Sequence, residues 1–576
     1  MAEIMNLKRS SGNPATGTAA SMPAAGREQT AVLDEAHLGD IRGALGTIPQ
    51  HDLGQRRSWW ARLLTLLAII GPGLIVMVGD NDAGGVATYA QAGQNYGLSL
   101  LWTLPLLIPV LVVNQEMVVR LGAVTGVGHA RLIKERFGKF WGAFSVGDLF
   151  ILNFLTIVTE FIGVSLSLGY FGVSAYVAVP LAALGLVIMT ATGSFRRWER
   201  FMLVFVAANF LVIPLAIFSH PHAGPVVHAL FVPGVKGGFT STSVLLIIAI
   251  VGTTVAPWQL FFQQSNVVDK RITPRWINYE RTDTWIGSVV VVVAAAAFII
   301  TAAFAFGHTP LSGKFTDAGG VARGLDRFIG HDAGALFAIL LLNASIIGAA
   351  AVTLATSYAL ADVFGAKHSL HRGFRDAKGF YGSFAAMVAV AAGIVIIPGA
   401  PLGLITTGVQ ALAGVLLPSA TVFLLLLCND PEVLGPWVNR PWLNAVASVI
   451  VSVLLALSMV LMATTLFPTL DVALLTAILG AILGAGILGA GAHAAFRRIR
   501  PRRGETDTGK SASPERTEHP SHADEPRESW RMPPLALLGR PAWSRGRKIG
   551  MYALRGYLIA AVVLLIVKAI QLGVAK

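Results

Sequence analysis

The chain has 576 residues, of which 54% are hydrophobic and only 13% are charged. Soluble globular domains are about 25% charged, so this composition excludes a soluble protein and indicates an integral membrane protein. The formal net charge is +13, but most Lys and Arg residues fall in loops beside apolar segments, which is typical of membrane topology and does not indicate nucleic-acid binding. The single cysteine, Cys428, excludes an intrachain disulfide and a cysteine-based metal site.

Apolar runs of about 20 residues follow one another along most of the chain. They predict α-helical membrane spans, because backbone polar groups must be hydrogen-bonded internally in lipid. Twelve spans are expected, at about 61–93, 98–122, 142–171, 173–192, 200–219, 241–267, 284–306, 333–364, 379–398, 402–427, 442–465 and 470–495.

The segments outside these spans are polar. Residues 1–57 are rich in Ala, Gly, Ser and Pro and are predicted to be a disordered cytoplasmic tail without a cleavable signal peptide. Residues 497–548 are predicted to be a polar, basic linker, and residues 549–576 an additional C-terminal transmembrane helix. The expected fold is therefore all-α.

Basic residues are concentrated in every second loop, those that follow the even-numbered spans. The intervening loops are short or nearly neutral, so the positive-inside rule places the N-terminus in the cytoplasm of an inner (plasma) membrane protein. The clearest groups are Arg131, Lys134, Arg136 and Lys139 after span 2, Arg196, Arg197 and Arg200 after span 4, Lys270, Arg271, Arg275 and Arg281 after span 6, and Lys367, Arg372, Arg375 and Lys378 after span 8.

Span 1 contains two carboxylates near its centre. Residues 79–85 read Gly-Asp-Asn-Asp-Ala-Gly-Gly, so Asp80 and Asp82 lie among small residues within an apolar helix. A charged side chain costs about 2.5–3.5 kcal/mol at a helix centre, and glycines favour local unwinding that exposes backbone carbonyls. This stretch predicts an interrupted helix and an oxygen-rich cation site.

Span 6 contains a second interruption. Residues 251–260 read Val-Gly-Thr-Thr-Val-Ala-Pro-Trp-Gln-Leu, and Pro257 kinks or breaks a helix because it lacks an N–H and clashes with the preceding turn. A proline kink with amides joining neighbouring helices would explain this segment on its own. Spans 1 and 6 are five spans apart, however, and corresponding interruptions predict a transporter built from an inverted repeat of 5+5 helices.

At these residues the sequence resembles the NRAMP family of divalent-metal transporters. The similarity runs from Gly71-Pro72-Gly73 to about span 10 or 11, and residues 120–126 and 160–163 match family patterns in spans 2 and 3. The resemblance implies a LeuT-like core over residues 58–430 with discontinuous helices 1 and 6. Residues 431–496 would add spans 11 and 12. With the additional helix predicted at 549–576, the chain would have two to three C-terminal spans beyond the core.

The departures from the family pattern concern the metal ligands. Asp82 keeps the acid of the family's Asp-Pro-Gly-Asn motif, but Gly85 replaces its amide ligand, and Asp80 is an added acid. In span 6, Ala256-Pro257-Trp258 replaces Met-Pro-His, so the thioether ligand is absent. Carboxylate, carbonyl and water ligands suit Mg²⁺ and Mn²⁺, so these losses resemble the NRAMP-related magnesium transporters.

Further site residues follow from the same resemblance. The expected metal-site residues are Asp82, Asp80, Gly85, Thr253, Ala256, Trp258, Gln259 and Gln410. Thr253 and Ala256 would contribute carbonyls, Gln410 its amide, and Gln259 a hydration water, whereas Trp258 would fill the volume of the missing histidine. Gln410 and Gln259 could instead form interhelical hydrogen bonds.

Proton coupling is predicted to be weak or absent. The family's proton-route positions are Ile157 and Trp258 here, and neither side chain can accept a proton. Glu160 and Glu116 remain as possible proton-handling groups, with Glu160 equally consistent with a structural ion-pair role.

We therefore expect a monomeric secondary transporter that moves a divalent metal, as its substrate, across the bilayer, with Mg²⁺ or Mn²⁺ favoured over Fe²⁺. It would need no cofactor and no nucleic acid. An amino-acid carrier of the same architecture is the first alternative, although two acids would repel a substrate carboxylate. A non-transporting metal sensor is the second. The sequence contains no motif of a known intramembrane enzyme, so no enzyme activity is expected.

Overall fold

The computed structural model describes residues 34–397, 402–467, 470–499, 527–539, 541, 549–557, 559–560 and 563. These residues are helical apart from one two-stranded hairpin and the connecting loops. The strands are β1 (Ile41–Arg42) and β2 (Thr47–Ile48), which pair antiparallel with Ile41 opposite Ile48.

The helices follow the predicted spans in chain order. Span 1 consists of α1 (Trp59–Ile69), α2 (Pro72–Gly79) and α3 (Ala83–Tyr96), span 2 of α4 (Thr103–Thr125), span 3 of α6 (Lys139–Tyr170) and span 4 of α7 (Ala175–Thr190). Span 5 consists of α8 (Phe195–Asn209) and α9 (Val212–Phe218), span 6 of α11 (Ser241–Thr254) and α12 (Pro257–Asp269), and span 7 of α13 (Ile277–Phe306). Spans 8 to 12 are α15 (His331–Phe364), α16 (Lys378–Val395), α17 (Leu402–Cys428), α19 (Pro441–Leu466) and α20 (Val472–Ile499).

Four further α-helices lie in the connections that the structure describes, and none of them was predicted. They are α5 (His129–Phe137), α10 (Ala223–Phe231), α14 (Ala318–Phe328) and α18 (Pro431–Leu434).

The membrane-spanning character of the described helices is clear. Ten helical segments are long and apolar enough to cross a membrane, and an eleventh results if α1 and α2 are counted as one bent span. The twelfth position is occupied by α7, an apolar helix of 16 residues. The chain is thus an all-helical, multi-pass membrane protein, as the sequence predicted.

Span 1 has a bend that the sequence analysis did not predict. The axes of α1 and α2 meet at 52°, and Gly71, at the bend, has a φ of 153°, which disfavours any residue with a side chain. The Asp283 carboxylate from α13 accepts hydrogen bonds from the backbone N–H groups of Gly71, Gly73 and Leu74 at 3.0, 2.8 and 3.1 Å. Span 7 therefore holds the N-terminal end of α2.

The segment before span 1 is structured over residues 34–57, where the sequence predicted a disordered tail. Its hairpin packs on the ends of spans 1 and 5: Arg196 and Arg200 donate to the carbonyls of Gly43 and Ala44, each at 3.0 Å. The segment is ordered because Arg196 and Arg200 form hydrogen bonds with its backbone. The sequence pattern indicated only a positive-inside role for these arginines. Residues 1–33, the rest of the predicted tail, lie outside the described residues.

We call the side of the molecule that carries this hairpin the N-terminal face. The residues that follow spans 4, 6 and 8 contact the segment there: Arg196 donates to the Gly43 carbonyl, Arg271 to the Ala36 carbonyl and Arg372 to the Asp34 carboxylate. On the same face, residues 527–539 pack against the connection between spans 10 and 11, where the Trp437 indole N–H donates to the Arg527 carbonyl at 2.8 Å.

The predicted linker and thirteenth helix are only partly described. Residues 500–526 lie outside the described residues. Residues 549–557 are helical, and the Tyr557 hydroxyl donates to the Val415 carbonyl in span 10 at 2.7 Å. The helix at residues 549–557 therefore contacts span 10.

Candidate metal site

The break in span 1 lies between the end of α2 at Gly79 and the start of α3 at Ala83. Asp82 is the N-cap of α3, and its carboxylate accepts the backbone N–H of Gly85 at 2.6 Å. An N-cap carboxylate stabilises a helix start because it satisfies one of the unpaired N–H groups there. Asp82 thus has a structural role at the break, and its remaining lone pairs are available for another ligand.

Asp80 differs from Asp82 in its hydrogen bonding. Its side chain is fully buried, and neither carboxylate oxygen has a hydrogen-bond partner among the described residues. A buried carboxylate without a partner is unfavourable unless a proton or a cation compensates it. This added acid is therefore a candidate for binding a positive charge.

The break in span 6 leaves Val255 and Ala256 between α11 and α12. Pro257 is the first residue of α12, where its missing N–H costs nothing. The Ala256 carbonyl accepts the Gln259 backbone N–H at 3.2 Å, so one of its two lone pairs is already engaged. The buried Thr253 hydroxyl has no partner among the described residues.

The two breaks meet beside Gly85. A Cβ atom placed on this glycine would stand 2.8 Å from the Asp80 carbonyl oxygen, 2.9 Å from the Thr253 hydroxyl and 3.3 Å from Oδ1 of Asp82. Three oxygens, from both spans, therefore converge on a space that any larger residue would fill. The glycine that replaces the expected amide ligand creates this space.

Gln410 in span 10 reaches the same position. Its amide nitrogen lies 3.5 Å from Oδ1 of Asp82, and it occupies the volume of a side chain on Gly84, where a Cβ would come within 1.7 Å. The structure thus brings the predicted Gln410 to the site.

Trp258 and Gln259 line the break, but neither offers a free side-chain oxygen to a cation. The Trp258 ring packs on Gly79, where a Cβ would be 3.2 Å from the indole edge, which agrees with a volume-filling role. The Gln259 side chain accepts from Gln115 at 2.8 Å and donates to the Thr254 carbonyl at 3.4 Å. The first hydrogen bond joins spans 2 and 6, and the second crosses the break within span 6.

Glu160 lies next to Asp82. One carboxylate oxygen accepts the backbone N–H of Ala83 at 3.1 Å, and the other has no partner among the described residues. Gly348 in span 8 allows this approach, because a Cβ there would lie 2.7 Å from Glu160 and 2.8 Å from Asp82. Glu160 therefore supports the start of α3 from span 3.

Glu116 is not part of the site. Its carboxylate forms ion pairs with Arg120 at 3.1 Å and with Arg281 at 2.5 Å, towards the N-terminal face. The sequence prediction grouped Glu116 with Glu160, but the structure separates the two acids.

The charge at the site is uncompensated by protein cations. Asp80, Asp82 and Glu160 are at most 2% exposed, and the ion pairs among the described residues include none of the three. Among those residues, no group of three or more His, Cys, Asp or Glu side chains is arranged to hold a metal ion. Any cation here would therefore depend on backbone, hydroxyl and water oxygens in addition to the carboxylates.

Sequence reasoning missed two contacts that shape this region. The Asn81 amide donates to the Val291 carbonyl in span 7 at 3.2 Å, and the Tyr89 hydroxyl lies 2.7 Å from the Thr254 hydroxyl. Asn81 and Tyr89 are polar residues inside apolar spans, which indicates that each needs a hydrogen-bond partner. The sequence does not indicate which residue that partner is.

The fold and the site define a polytopic membrane protein with two interrupted helices whose breaks meet at a buried acidic centre. Residues 73–464 match the sequence profile of the family described as natural resistance-associated macrophage protein-like, or Nramp. The match extends over more than half of the chain, which therefore belongs to the NRAMP family.

Curated relatives agree with this assignment, and a solved structure shares the fold. "Divalent metal cation transporter MntH 1" of Pseudomonas aeruginosa is 30% identical over 405 residues, covering 67% of this chain and 89% of the relative. "Divalent metal cation transporter MntH" of Bacillus subtilis is 27% identical over 414 residues, covering 67% and 89%. A crystal structure of the Eremococcus coleocola manganese transporter aligns with a TM-score of 0.57 at 19% identity, covering 78% of this chain and 98% of that one.

Proposed function

We propose that this protein is a secondary-type transporter that moves divalent metal cations across the inner membrane by alternating access. The observation that carries the proposal is the convergence of Asp80, Asp82 and Thr253 oxygens beside Gly85, where the two broken spans meet. Midplane sites between discontinuous helices are typical of secondary transporters. Relatives named as divalent metal cation transporters support the same substrate class.

The ligand chemistry favours Mg²⁺ or Mn²⁺ over Fe²⁺. The three atoms nearest to a Cβ on Gly85 are all oxygens, and Ala256 and Trp258 contribute neither sulfur nor imidazole. Oxygen ligands suit hard cations, and Mg²⁺ in particular keeps several waters when it binds. The oxygens beside Gly85 would supply part of the coordination of such an ion, and water would supply the rest.

Uptake is proposed to be uncoupled or weakly coupled to protons. Ile157 and Trp258 cannot accept a proton, and Glu160 already accepts the Ala83 N–H. A membrane potential of 100 mV supplies about 2.3 kcal/mol per charge, or roughly twice that for a divalent cation. This driving force is sufficient for inward movement of the ion. In this proposal the N-terminal face lies in the cytoplasm and the protein acts as a monomer.

An amino-acid carrier of this architecture is disfavoured by the same site. Such carriers hold a substrate carboxylate near the break, where Asp80 and Asp82 would repel it. A metal sensor without transport remains the alternative that a flux experiment separates.

The test is uptake of Mg²⁺, Mn²⁺ and Fe²⁺ into proteoliposomes at a fixed membrane potential, with the internal pH recorded. Asp82→Asn keeps an N-cap acceptor but removes the charge, so uptake is expected to fall at least about tenfold in a folded protein. Asp471→Asn is the matched control, since Asp471 also accepts backbone N–H groups at a helix start but is exposed and belongs to span 12.

The expected profile is uptake of Mg²⁺ or Mn²⁺ without internal acidification. Unchanged uptake in Asp82→Asn would contradict the site, and acidification that requires Glu160 would contradict uncoupled transport. Binding without any flux would favour the sensor.

A further inference from the structure

A stripe of amide side chains runs along one face of α12 towards the N-terminal face. Gln259, Gln263 and Asn266 are spaced by four and three residues, so they share one helix face and cover about 10 Å at 1.5 Å per residue. All three are at most 1% exposed. The stripe begins directly after the span 6 break, where the candidate metal site lies.

The partners of these amides become fewer with distance from the break. Gln259 is fully engaged, as described above. The Gln263 amide nitrogen donates to the Thr284 hydroxyl of span 7 at 3.1 Å, but its oxygen has no partner among the described residues. Neither the oxygen nor the nitrogen of Asn266 has one. Buried amides normally satisfy these groups, so the end of the stripe is a polar region suited to a ligand.

Glu280 lies at the same level. Because α12 runs towards the N-terminal face and α13 away from it, the Gln263–Thr284 hydrogen bond places Asn266 and Glu280 one turn nearer that face. Glu280 is fully buried, and both of its carboxylate oxygens lack a partner among the described residues. Gln263 and Lys270 both lie near enough to act on the Glu280 carboxylate, although neither forms a hydrogen bond with it.

Three neighbouring buried acids, Asp283, Glu199 and Asp269, have hydrogen-bond partners, unlike Glu280 in the part of the chain that the structure describes. Asp283 accepts three backbone N–H groups, and Glu199 accepts Lys270 at 2.6 Å and the Ala44 N–H at 2.5 Å. Asp269 accepts the Tyr358 hydroxyl and the Leu370 N–H, at 2.5 and 2.8 Å.

Lys270, the buried cation whose charge acts on Glu280, forms no ion pair with it among the described residues. The three N–H groups of Lys270 are matched by three acceptors, which are Glu199 and the carbonyls of Ile69 and Ile70 at 2.6, 2.6 and 3.0 Å. A buried carboxylate without an ion-pair partner is unfavourable unless a proton or a cation from outside the protein compensates it.

We propose that Glu280, with Gln263 and Asn266, forms a second divalent-cation site on the route from the span 1 and span 6 breaks to the cytoplasm. The single carboxylate and neutral amides would hold the ion weakly with part of its hydration shell, which suits a transit site that must also release it. This inference rests on the proposed function for the identity of the ion.

The experiment counts Mn²⁺ bound to the purified full-length protein, using the loss of the free-ion electron paramagnetic resonance signal. Wild type is expected to bind two ions, Asp82→Asn one and Glu280→Gln one. Glutamine has the shape of a protonated glutamate, so a purely structural, neutral Glu280 would tolerate it without loss of a site. Glu280→Asp is expected to keep the second site at least about tenfold weaker, roughly 1.4 kcal/mol.

The matched control is Glu116→Gln, which changes a carboxylate that already has two arginine partners and should leave two ions bound. Wild-type stoichiometry in Glu280→Gln, or a single ion in wild type that Glu280→Gln retains, would overturn the second site. If that single ion is lost in Asp82→Asn, the proposed function survives while the inference fails. If binding depends on Glu280 but not on Asp82, the second site survives and the proposed transport site fails.

Discussion

The hydroxyl of Tyr89 in span 1 lies 2.7 Å from the hydroxyl of Thr254 in span 6, and both side chains are fully buried. Thr254 is the last residue of α11 before the span 6 break, and Tyr89 follows the span 1 break within α3. The two interrupted helices are therefore joined directly by a hydrogen bond between their side chains.

Tyr89→Phe tests the strength of this connection. The Thr254 hydroxyl keeps the Ile250 carbonyl as a partner at 2.7 Å, so no polar group is left unpaired. We expect a loss of about 0.5–1.5 kcal/mol in the free energy of unfolding, the usual net value of one hydrogen bond. Unfolding of the purified protein measures it, with exposed Tyr176→Phe as control. A loss above about 3 kcal/mol would show that the hydroxyl has a further role.

Gly85→Ala tests the space at the candidate metal site. The added methyl group would stand 2.8–3.3 Å from the three converging oxygens and displace a cation or its water. We expect uptake to fall at least about tenfold, or about 1.4 kcal/mol, with the protein still folded. Gly147→Ala in span 3 is the matched control, because a Cβ there meets no atom within 4 Å. Equal uptake by both variants would contradict the assignment of this space.

Lys270→Met tests the ion pair that holds spans 5 and 6 together. Lys270 and Glu199 are fully buried and 2.6 Å apart, so removing the lysine leaves a buried charge unpaired. Breaking such a pair costs about 3–5 kcal/mol. In a double-mutant cycle, Lys270→Met with Glu199→Leu should cost less than the sum of the single changes. Strict additivity of the three unfolding free energies would show that the pair contributes no coupling.

His368 predicts a pH dependence of stability on the N-terminal face. Burial lowers the pKa of His368, but the hydrogen bond to Asp362, at 3.2 Å, outweighs it and raises the pKa from 6.5 to about 9. A histidine with a raised pKa stabilises the fold below pH 6.5, and this contribution is lost as the pH rises from 6.5 to about 9.

Thermal unfolding at pH 6.5, 7.5 and 9 measures this contribution. His37 and Asp269 face the same cluster, so Asp362→Asn is the specific control. That variant should have a lower midpoint at pH 6.5 and a flatter pH dependence than wild type. An equally steep decline in both proteins would assign the dependence to another group.

The sequence predicted the twelve span positions closely because lipid imposes a strong and local constraint. A run of about 20 apolar residues has no alternative to a helix in a membrane. The two breaks were equally readable, since carboxylates, glycines and a proline inside such runs are costly unless the helix is interrupted. The structured hairpin before span 1 was not readable, because its order depends on Arg196 and Arg200, which lie far away in the chain.

The positions of Asp80, Asp82 and Glu160 inside the membrane were thus determined by sequence alone, through the cost of burying charge. Which of them have partners was decided only by tertiary structure. Asp82 and Glu160 accept N–H groups at the start of α3, Asp80 accepts none among the described residues, and Glu116, an equally plausible acid in the sequence, pairs with two arginines. Whether a hydrogen bond forms between two helices depends on differences of a few tenths of an ångström in the donor–acceptor distance. No local sequence pattern contains that information.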